Sequence, residues 1–567
     1  MRGTLVHALA RLYPWAVADD ADLDRALSFL DAPLTATEVI RAGYGAGLAL
    51  LGTGLACLVA VPQRIRPVVL LAAGLAAFGA MSGVPATVRL AARARRTSAL
   101  GAAPGLVSRA VLRMRLAPAP EAAATFAAET GTGPLAASLR EHVRRTTGTG
   151  ATGLDAFGRE WGTWFPALRR SLALVGTAGA EPAGERARTL DRALDAVLDG
   201  TRDSTAEFAV SVRRPATAVY AFGVLLPLAL VALLPAASAA GVGVSTMLLV
   251  VGYDLLLPLA VAGLGAWLLA RRPVAFPAPA VPRTHPDLPD GARNAVLAGV
   301  GAGILAGVVA TTMLSPWTVP LAVGGATAGA ALFVRYRPAM AVRRRVTAVE
   351  DGLDDALALV GRRVQRGQAV ETAVERAADE LTGETATVFA AAARRQRQLG
   401  VGVRAAFLDD HGALSTIPSA RARSVAELLA LAATEGRPAG AAVVSMAEHL
   451  SDLGRVEEET RRDLASVTGT LLNTAAVFAP LVAGATVALA DAIGRVDAEL
   501  GGSVPETSTL GLTVGVYVLV LAALLSALAS GLERGFDRTL VGYRAGGALL
   551  SATTVFLVTQ FAVGLFV

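Results

Sequence analysis

One stretch of the chain occurs twice, about 250 residues apart, and this repeat constrains the fold more than any single residue does. Residues 119–157 align without a gap to residues 369–407. The matched positions are Glu121 with Glu371, Thr132-Gly133 with Thr382-Gly383, Arg144-Arg145 with Arg394-Arg395, Gly150 with Gly400, and Phe157 with Phe407. A second block agrees after a six-residue slip, with Pro182-Ala183-Gly184 on Pro438-Ala439-Gly440 and Leu194 on Leu450. The repeat predicts two related modules.

Between and around the repeats lie apolar segments that are long enough to cross a membrane. The hydrophobic fraction of 53% and the mean hydropathy of +0.52 are too high for an ordinary soluble protein. Because a spanning helix needs about 20 apolar residues, the sequence predicts nine spans. They are 40–61, 67–84, 217–237, 243–270, 294–314, 318–335, 467–490, 510–531 and 546–567.

The first 39 residues do not have the continuous apolar core of a signal peptide, since four aspartates lie between positions 19 and 24. They predict a short amphipathic lead-in, with Leu23, Ala26, Leu27 and Leu30 on one helix face.

Arginine placement predicts the orientation in the membrane. Segment 85–216 has 19 Arg against 12 Asp and Glu, a net of +7, whereas 491–509 has one Arg against four acids. The positive-inside rule therefore predicts that 85–216, 271–293 and 336–466 are cytoplasmic. With nine spans the N-terminus is then cytoplasmic and the C-terminus outside. Arg64 and Arg66, in the tight first loop, contradict this topology.

The predicted fold class is an all-α polytopic membrane protein with two duplicated cytoplasmic helical-bundle modules. Apolar residues at three- and four-residue spacing predict bundles, and Gly184 and Gly440 suit tight turns between helices. The acid-rich run 457–462 is expected to extend a helix into the seventh span. The predicted units are a lead-in at 1–39, spans 1–2 at 40–84, a first module at 85–216, spans 3–6 at 217–335 with a Pro-rich linker at 271–293, a second module at 336–466, and spans 7–9 at 467–567.

Glycines four residues apart mark helix faces in the membrane. Gly43 and Gly47 share one face, Gly299, Gly303 and Gly307 another, and Gly325 and Gly329 a third. Small residues at this spacing let backbones approach closely. The pattern indicates packing within the bundle, and a homodimer seam is the alternative. Membrane lipids surround the remaining faces.

Several kinds of chemistry are absent from the sequence. All 52 basic residues are arginine, so there is no P-loop lysine and any ATP-driven work must come from a partner. The single cysteine, Cys57, excludes disulfides, and the five histidines show no metal-ligand spacing. The loop from Thr146 to Gly153 joins helices, unlike a phosphate loop, and nothing resembles a GxSxG elbow. We therefore predict no catalytic, cofactor or metal site and no enzymatic activity.

Nucleic acid is also excluded as a partner. The pI near 10 reflects arginines beside membrane spans, and aromatic residues make up only 5% of the chain without alternating with the basic clusters.

Asp254 is the polar residue that stands out, because it lies in the middle of the predicted fourth span. An ionised side chain in hydrocarbon costs several kcal/mol on isolated-helix estimates. The carboxyl is therefore either a functional group, for a proton path or a pairing site, or a structural one that is protonated or bonded to Tyr253 or a neighbouring helix. Pro258, four residues on, predicts a local kink.

The duplicated pattern resembles the type II secretion system F domain. The matching features are a basic entry (LRMRLAPAPEAA and GRRVQRGQAVETA), a Thr-Gly turn, and a Gly-led helix (EPAGERARTLDRAL and GRPAGAAVVSMAEHL) before a span. Two such domains with about nine spans resemble the archaeal platform proteins of type IV pili and archaella. The resemblance covers roughly 85–240 and 345–490 and implies a non-enzymatic platform in the cell membrane.

That resemblance also implies the partners. They are a hexameric cytoplasmic secretion or pilus ATPase and prepilin subunits that enter a growing filament. The repeat-matched residues Glu121, Gly133, Arg144, Arg145, Gly184, Glu371, Gly383, Arg394, Arg395 and Gly440 are candidate interface or turn positions. Because the first module is basic and the second nearly neutral, different partners are expected for the two.

Two other function classes stay open at this stage. One is a transporter or channel that uses Asp254, and the other is a membrane sensor or scaffold unrelated to filaments. Transporter halves usually repeat as spans with broken helices at the midplane, whereas the clearest sequence repeat here lies in the soluble part.

Overall fold

The computed structural model describes residues 2–566, except for 31, 61–62, 64–65, 132, 147–151, 240–245, 273–280, 283, 289–290, 436, 500–506 and 536. The protein is 87% helical, and the described residues contain no strand. The predicted all-α class is confirmed. Thr132, Gly150, most of the loop from Thr146 to Gly153 and much of the Pro-rich linker lie outside the described residues.

The first half starts with a lead-in of two short helices and continues with a hairpin of two long ones. These are α1 (Arg2–Arg11), α2 (Ala21–Phe29), α3 (Ala36–Ala60) and α4 (Arg66–Leu100). The first module follows as α5 (Ala103–Leu116), α6 (Pro120–Thr130), α7 (Gly133–Thr146), α8 (Gly153–Trp161), α9 (Pro166–Ala178) and α10 (Ala183–Tyr220). The chain then enters π1 (Ala221–Leu225), α11 (Leu226–Ala239), α12 (Thr246–Val250), π2 (Val251–Leu256) and α13 (Leu257–Ala270), where π denotes a π-helical turn.

The second half repeats this order and adds one helix. Its hairpin is α14 (Ala292–Met313) and α15 (Val319–Glu350), joined by a 3-10 turn at Pro316–Thr318. The second module comprises α16 (Leu353–Gln365), α17 (Val370–Glu380), α18 (Gly383–Leu399), α19 (Val403–Leu408), α20 (Ala420–Glu435) and α21 (Arg437–Asn473). The remaining elements are π3 (Thr474–Phe478), α22 (Ala479–Glu499), α23 (Thr507–Arg534) and α24 (Arg538–Phe566).

The duplication is wider than the sequence repeat indicates. Helices α6, α7 and α8 each start 250 residues before α17, α18 and α19. The helical hairpin before each module and the π turn after it also occur twice. Matched helices meet across the molecule, because α10 packs on α21, α11 on α22 and α13 on α23. The whole unit of hairpin, module and return helices is therefore duplicated, membrane part included.

Nine described helical stretches are long and apolar enough to cross a membrane, as predicted. Four of them are 47–53 residues long, whereas about 20 residues are enough for a helix to span a bilayer. Four helices run unbroken across the predicted boundaries between membrane spans and modules. They are α4 at 84/85, α10 at 216/217, α15 at 335/336 and α21 at 466/467. In particular, α21 includes the acid-rich run and leads through π3 into α22, as predicted.

Each module has its own hydrophobic core, and matched aromatic residues occupy both. Phe157 and Phe407 are 0% and 2% exposed. Phe157 neighbours Trp161 in the first core, and Phe407 meets Phe389 edge-on in the second. The cores also touch, since Leu112 and the ring of Phe126 from the first module pack into the second. The modules are thus two similar bundles in direct contact.

The lead-in packs as its periodicity predicts. Asp20 caps α2 by accepting from the backbone amides of Asp22 and Leu23. Leu23, Ala26 and Leu27 are buried, while Leu30 is half-buried. The predicted face is therefore confirmed.

The glycine faces in the membrane are used within the molecule. A Cβ at Gly47 would lie 3.1 Å from the Ala77 carbonyl oxygen, and one at Gly303 would lie 2.1 Å from the Thr327 hydroxyl. A Cβ at Gly329 would lie 2.9 Å from the backbone nitrogen of Leu550 on α24. These faces pack the α3–α4 hairpin, the α14–α15 hairpin and the α15–α24 contact, which is the bundle interpretation.

Candidate functional site

The glycines of the two Thr-Gly motifs have the same backbone geometry. Gly133 begins α7 with φ of 86° and Gly383 begins α18 with φ of 74°. This left-handed region is open to glycine and strained for other residues. A Cβ at either position would meet nothing within 4 Å, so conformation and not space demands glycine here. These two residues shape the turn before the third helix of each bundle.

Glu121 and Glu371 also occupy equivalent places, in the first turns of α6 and α17. An acidic residue at a helix N-terminus is stabilised by the helix dipole. Glu121 is exposed and Glu371 half-exposed, so both carboxylates reach the module surface.

The matched arginine pairs differ in their surroundings. Arg144 and Arg145 lie at the end of α7 and bind Glu141 at 2.6 and 2.8 Å. No described carboxylate lies within ion-pair distance of Arg394 or Arg395 on α18. The sequence match therefore conceals a difference: Glu141 partly neutralises the first pair, and the second pair has no such ion pair.

Gly184 and Gly440 diverge as well. Gly184 lies in the first turn of α10, is exposed, and has space around it. Gly440 is buried within α21, where a Cβ would lie 2.7 Å from the Gln365 backbone nitrogen. Neither has the left-handed backbone that a tight turn would use. Gly440 serves close packing of α21 on α16, which the sequence did not reveal.

The outer helices of the first module carry an arginine surface. Arg169 and Arg170 on α9 and Arg188 and Arg192 on α10 are exposed, and no described acid pairs with any of them. Exposed guanidinium groups that have no acidic neighbour suit carboxylate partners, which they bind through two parallel hydrogen bonds. We call these four residues the α9–α10 arginine surface.

The second module instead forms a charged cleft with the adjoining ends of the membrane helices. The cleft has a volume of about 360 Å³. Its acidic lining is Glu350, Asp351, Asp354, Glu457, Glu458 and Glu533, and its basic lining is Arg272, Arg421, Arg461 and Arg534. Arg421 binds Glu457 at 3.1 Å, and Arg461 binds Glu458 at 2.9 Å. The sequence did not predict this cleft, because its lining comes from helices far apart in the chain; the acid-rich run 457–462 predicted only a helix extension.

Polar side chains link the two modules. Arg109 of α5 donates to the Ser424 hydroxyl on α20, and Arg202 of α10 binds Glu459 of α21 at 3.3 Å. Burial raises the pKa of the Glu427 carboxyl above its ordinary value, and Arg404 and Arg109 oppose that rise. Movement of one module relative to the other would have to break these contacts.

Asp254 lies in π2, within the membrane part. Its Oδ1 is buried and bonds to no described group. The hydroxyl of Tyr253 donates instead to the Pro227 carbonyl at 2.7 Å. The interpretation in which Tyr253 bonds the carboxyl is therefore wrong, because the tyrosine points to another helix.

Prolines explain the three π turns. Pro227, Pro258 and Pro480 follow π1, π2 and π3, and each lacks the amide hydrogen that would bond the carbonyl four residues earlier. The freed carbonyl of Gly223 accepts from the Tyr517 hydroxyl, and that of Ala476 accepts from Ser551 Oγ at 2.8 Å. No described side chain donates to the Asp254 carbonyl. The kink predicted at Pro258 is thus a π turn in which neither the Asp254 carbonyl nor its Oδ1 has a described side-chain donor.

The described residues hold no cluster of three or more His, Cys, Asp and Glu side chains with metal-site geometry. Compared with protein-family models, with curated proteins and with solved structures, the chain matches none of them.

Proposed function

We propose that the protein is an integral membrane platform for assembly of type IV pilus-like filaments, or of a related archaellum or type II secretion-like system. In this role it couples a cytoplasmic ATPase to the movement of prepilin subunits. It has no catalytic activity of its own, and it lies in the cell membrane with the N-terminus cytoplasmic and the C-terminus outside.

The observation that carries the proposal is helix continuity between module and membrane. Helix α10 has 38 residues and α21 has 37, and each continues through a π turn into the next membrane helix. At 1.5 Å per residue, each is roughly 55 Å long before the π turn. A push on either module is transmitted along such a helix to the membrane. The π turns after them provide a place where the helix can bend.

The modules offer two unlike surfaces to soluble partners. The α9–α10 arginine surface suits an acidic face of a motor, and the charged cleft of the second module suits a surface with both signs of charge. Since the chain lacks lysine, a Walker-type motor has to be another protein. This agrees with a platform that receives mechanical work.

The test is capture of the motor by the full-length protein in lipid nanodiscs, from the cytoplasm of the source cell at two salt concentrations. We expect a hexameric secretion-type ATPase, with weaker capture at high salt because exposed charges are screened. Charge reversal at Arg188 and Arg192 should reduce capture, whereas reversal at Arg394 and Arg395 should leave it unchanged. Recovery of no ATPase by folded protein at low salt would reject the proposal.

A transporter or channel remains the second candidate, and one observation favours it: the unpaired Oδ1 of Asp254 in the membrane part. The discriminating experiment is cation flux into proteoliposomes that contain the purified protein. Flux that disappears in Asp254→Asn would favour a transporter, and absence of flux in the unmodified protein would remove this candidate.

A further inference from the structure

In each half of the chain, one ring just before the membrane hairpin contacts the module of that half. In the first half Phe29 lies seven residues before Ala36, the first residue of α3. In the second half His285 lies seven residues before Ala292, the first residue of α14. Because α3 and α14 begin equivalent hairpins, Phe29 of the lead-in and His285 of the Pro-rich linker occupy equivalent places in the duplicated unit.

The contact in the first half is apolar. Phe29 packs against the hydrophobic core of the first module, and its ring meets the Trp161 ring edge-on with centroids 5.9 Å apart. Trp161 is the last residue of α8. Neither ring takes up a proton between pH 5 and 8, so this contact does not respond to pH.

The contact in the second half is polar. Val281 of the linker packs against the core of the second module, and His285 is 7% exposed. The Nε2 atom of His285 lies 2.9 Å from the carbonyl oxygen of Thr416. Thr416 lies in the loop between α19 and α20, and α19 is the helix that matches α8. The linker therefore docks on the second module close to where the lead-in docks on the first.

The loop that carries Thr416 is firmly held. Leu414 and Ile417, on either side of Thr416, are 3% and 2% exposed and belong to the core of the second module. The amide of Leu414 also donates to the Phe407 carbonyl of α19 at 3.0 Å. The Thr416 carbonyl is therefore a fixed acceptor for the histidine.

The hydrogen bonds of His285 determine which form of the ring fits. A carbonyl oxygen only accepts, so Nε2 donates to Thr416. Nδ1 accepts from the backbone amide of Asp287 at 3.1 Å. One N–H and one free lone pair define the neutral imidazole. A proton on Nδ1 would face the Asp287 N–H and would bury a charge, since the side chain is only 4% exposed.

The charged groups around the ring do not offset that cost. The Asp287 Oδ2 atom is 4.0 Å from Nδ1, but its side chain is 55% exposed, and water screens such a pair. The α19–α20 loop carries three titratable residues, all exposed, and among the described residues none forms an ion pair with the ring: they are Asp409, Asp410 and His411. Glu350 of α15 also reaches this loop, where its carboxylate accepts from the Ser419 hydroxyl.

We propose that His285 is a proton-operated latch, in which the neutral ring holds the linker on the second module and the protonated ring releases it. Because the docked state excludes a proton that the released state binds, docking weakens as the pH falls through the range in which histidine titrates, about pH 8 to 5. Phe29 keeps the lead-in docked throughout. The inference goes beyond the proposed function and does not depend on it, since it rests on the bonds of one side chain.

The experiment is hydrogen exchange followed by mass spectrometry on the full-length protein in nanodiscs. It compares about pH 7.5 with about pH 5.5, either side of the usual histidine midpoint, with exchange times scaled to the intrinsic rates. At the lower pH we expect protection of the linker peptide 281–288 to fall roughly three- to tenfold, the worth of one hydrogen bond. The lead-in peptide 21–30 is the internal control and should keep its protection.

Three variants separate the ring from its surroundings. His285→Gln keeps a donor and does not titrate, so the linker peptide should be equally protected at both pH values. His285→Ala should leave it weakly protected at both. Asp287→Asn removes the neighbouring carboxylate, and the fall at low pH should persist. Gel filtration verifies that each variant is folded.

Three results would overturn the inference. One is equal protection of the linker peptide at both pH values in the unmodified protein. Another is stronger protection at the lower pH, which an ion pair between His285 and Asp287 would produce. The third is a fall that persists in His285→Ala or that the lead-in peptide shares, because the histidine would then not be its cause.

Discussion

Phe157 in the first module and Phe407 in the second occupy the same place in the same bundle, yet the charges around the two bundles have little in common. The second module, residues 336–466, has 18 Arg against 19 acids, whereas the first has 19 Arg against 12. Glu350, Asp351 and Asp354 of the cleft correspond to Leu100, Gly101 and Pro104 in the first module. Interiors are under a packing constraint that surfaces lack. The two bundles have therefore kept similar interiors, while their surface charges have diverged.

The largest effect is expected when the shared core residue of each module is truncated. Phe157→Ala and Phe407→Ala should each destabilise its own module by about 3–5 kcal/mol, because both rings are fully buried. Hydrogen exchange followed by mass spectrometry reads each module separately. Arg170→Ala on the surface is the control. If only one of the two variants lost protection in its own module, the two cores would not be equivalent.

A smaller effect, of opposite sign in the two modules, is expected at the matched glycines in the first turns of α10 and α21. Gly440→Ala should destabilise the second module by about 1–3 kcal/mol, because the new Cβ lies 2.7 Å from the Gln365 backbone. Gly184→Ala should stabilise the first by about 0.4–1 kcal/mol, since space is open and the unfolded chain loses freedom. Thermal unfolding in nanodiscs measures both. Equal shifts would show that α10 and α21 are packed alike.

The left-handed turn glycines should respond alike. Gly133→Ala and Gly383→Ala each impose a strained backbone and should cost about 1 kcal/mol in both modules. The same exchange experiment reports the opening of α7 and α18. Tolerance at one position would mean that its turn can adopt another conformation.

The smallest effect is predicted for the ion pairs of Arg144 and Arg145 with Glu141, which have no described counterpart at the matched arginines of the second module. Glu141→Gln removes the partner of Arg144 and Arg145, yet exposed pairs contribute little and are screened by salt. We expect no shift in the unfolding midpoint beyond experimental scatter, at low or high salt. A clear shift would indicate that Glu141 supports the bundle and does more than neutralise two arginines.

Much of the fold was predictable because it depends on local periodicity. Nine apolar segments, two helical bundles and the amphipathic lead-in all follow from spacing within a few turns. The candidate sites were less predictable. Gly133 and Gly383 were found since a turn requires them, whereas the charged cleft was missed because its residues come from helices far apart in the chain.

The sequence alone determined the class of fold, the number of candidate membrane helices and the existence of a duplicated helical unit, because each depends on residue type at short range. Tertiary structure decided which faces are covered. It placed Gly440 against a backbone and left Gly184 open, and it directed Tyr253 away from Asp254. It also placed α24 against α15, α22 and α23. Burial and hydrogen bonding are properties of what lies opposite a residue, and the chain order does not contain that information.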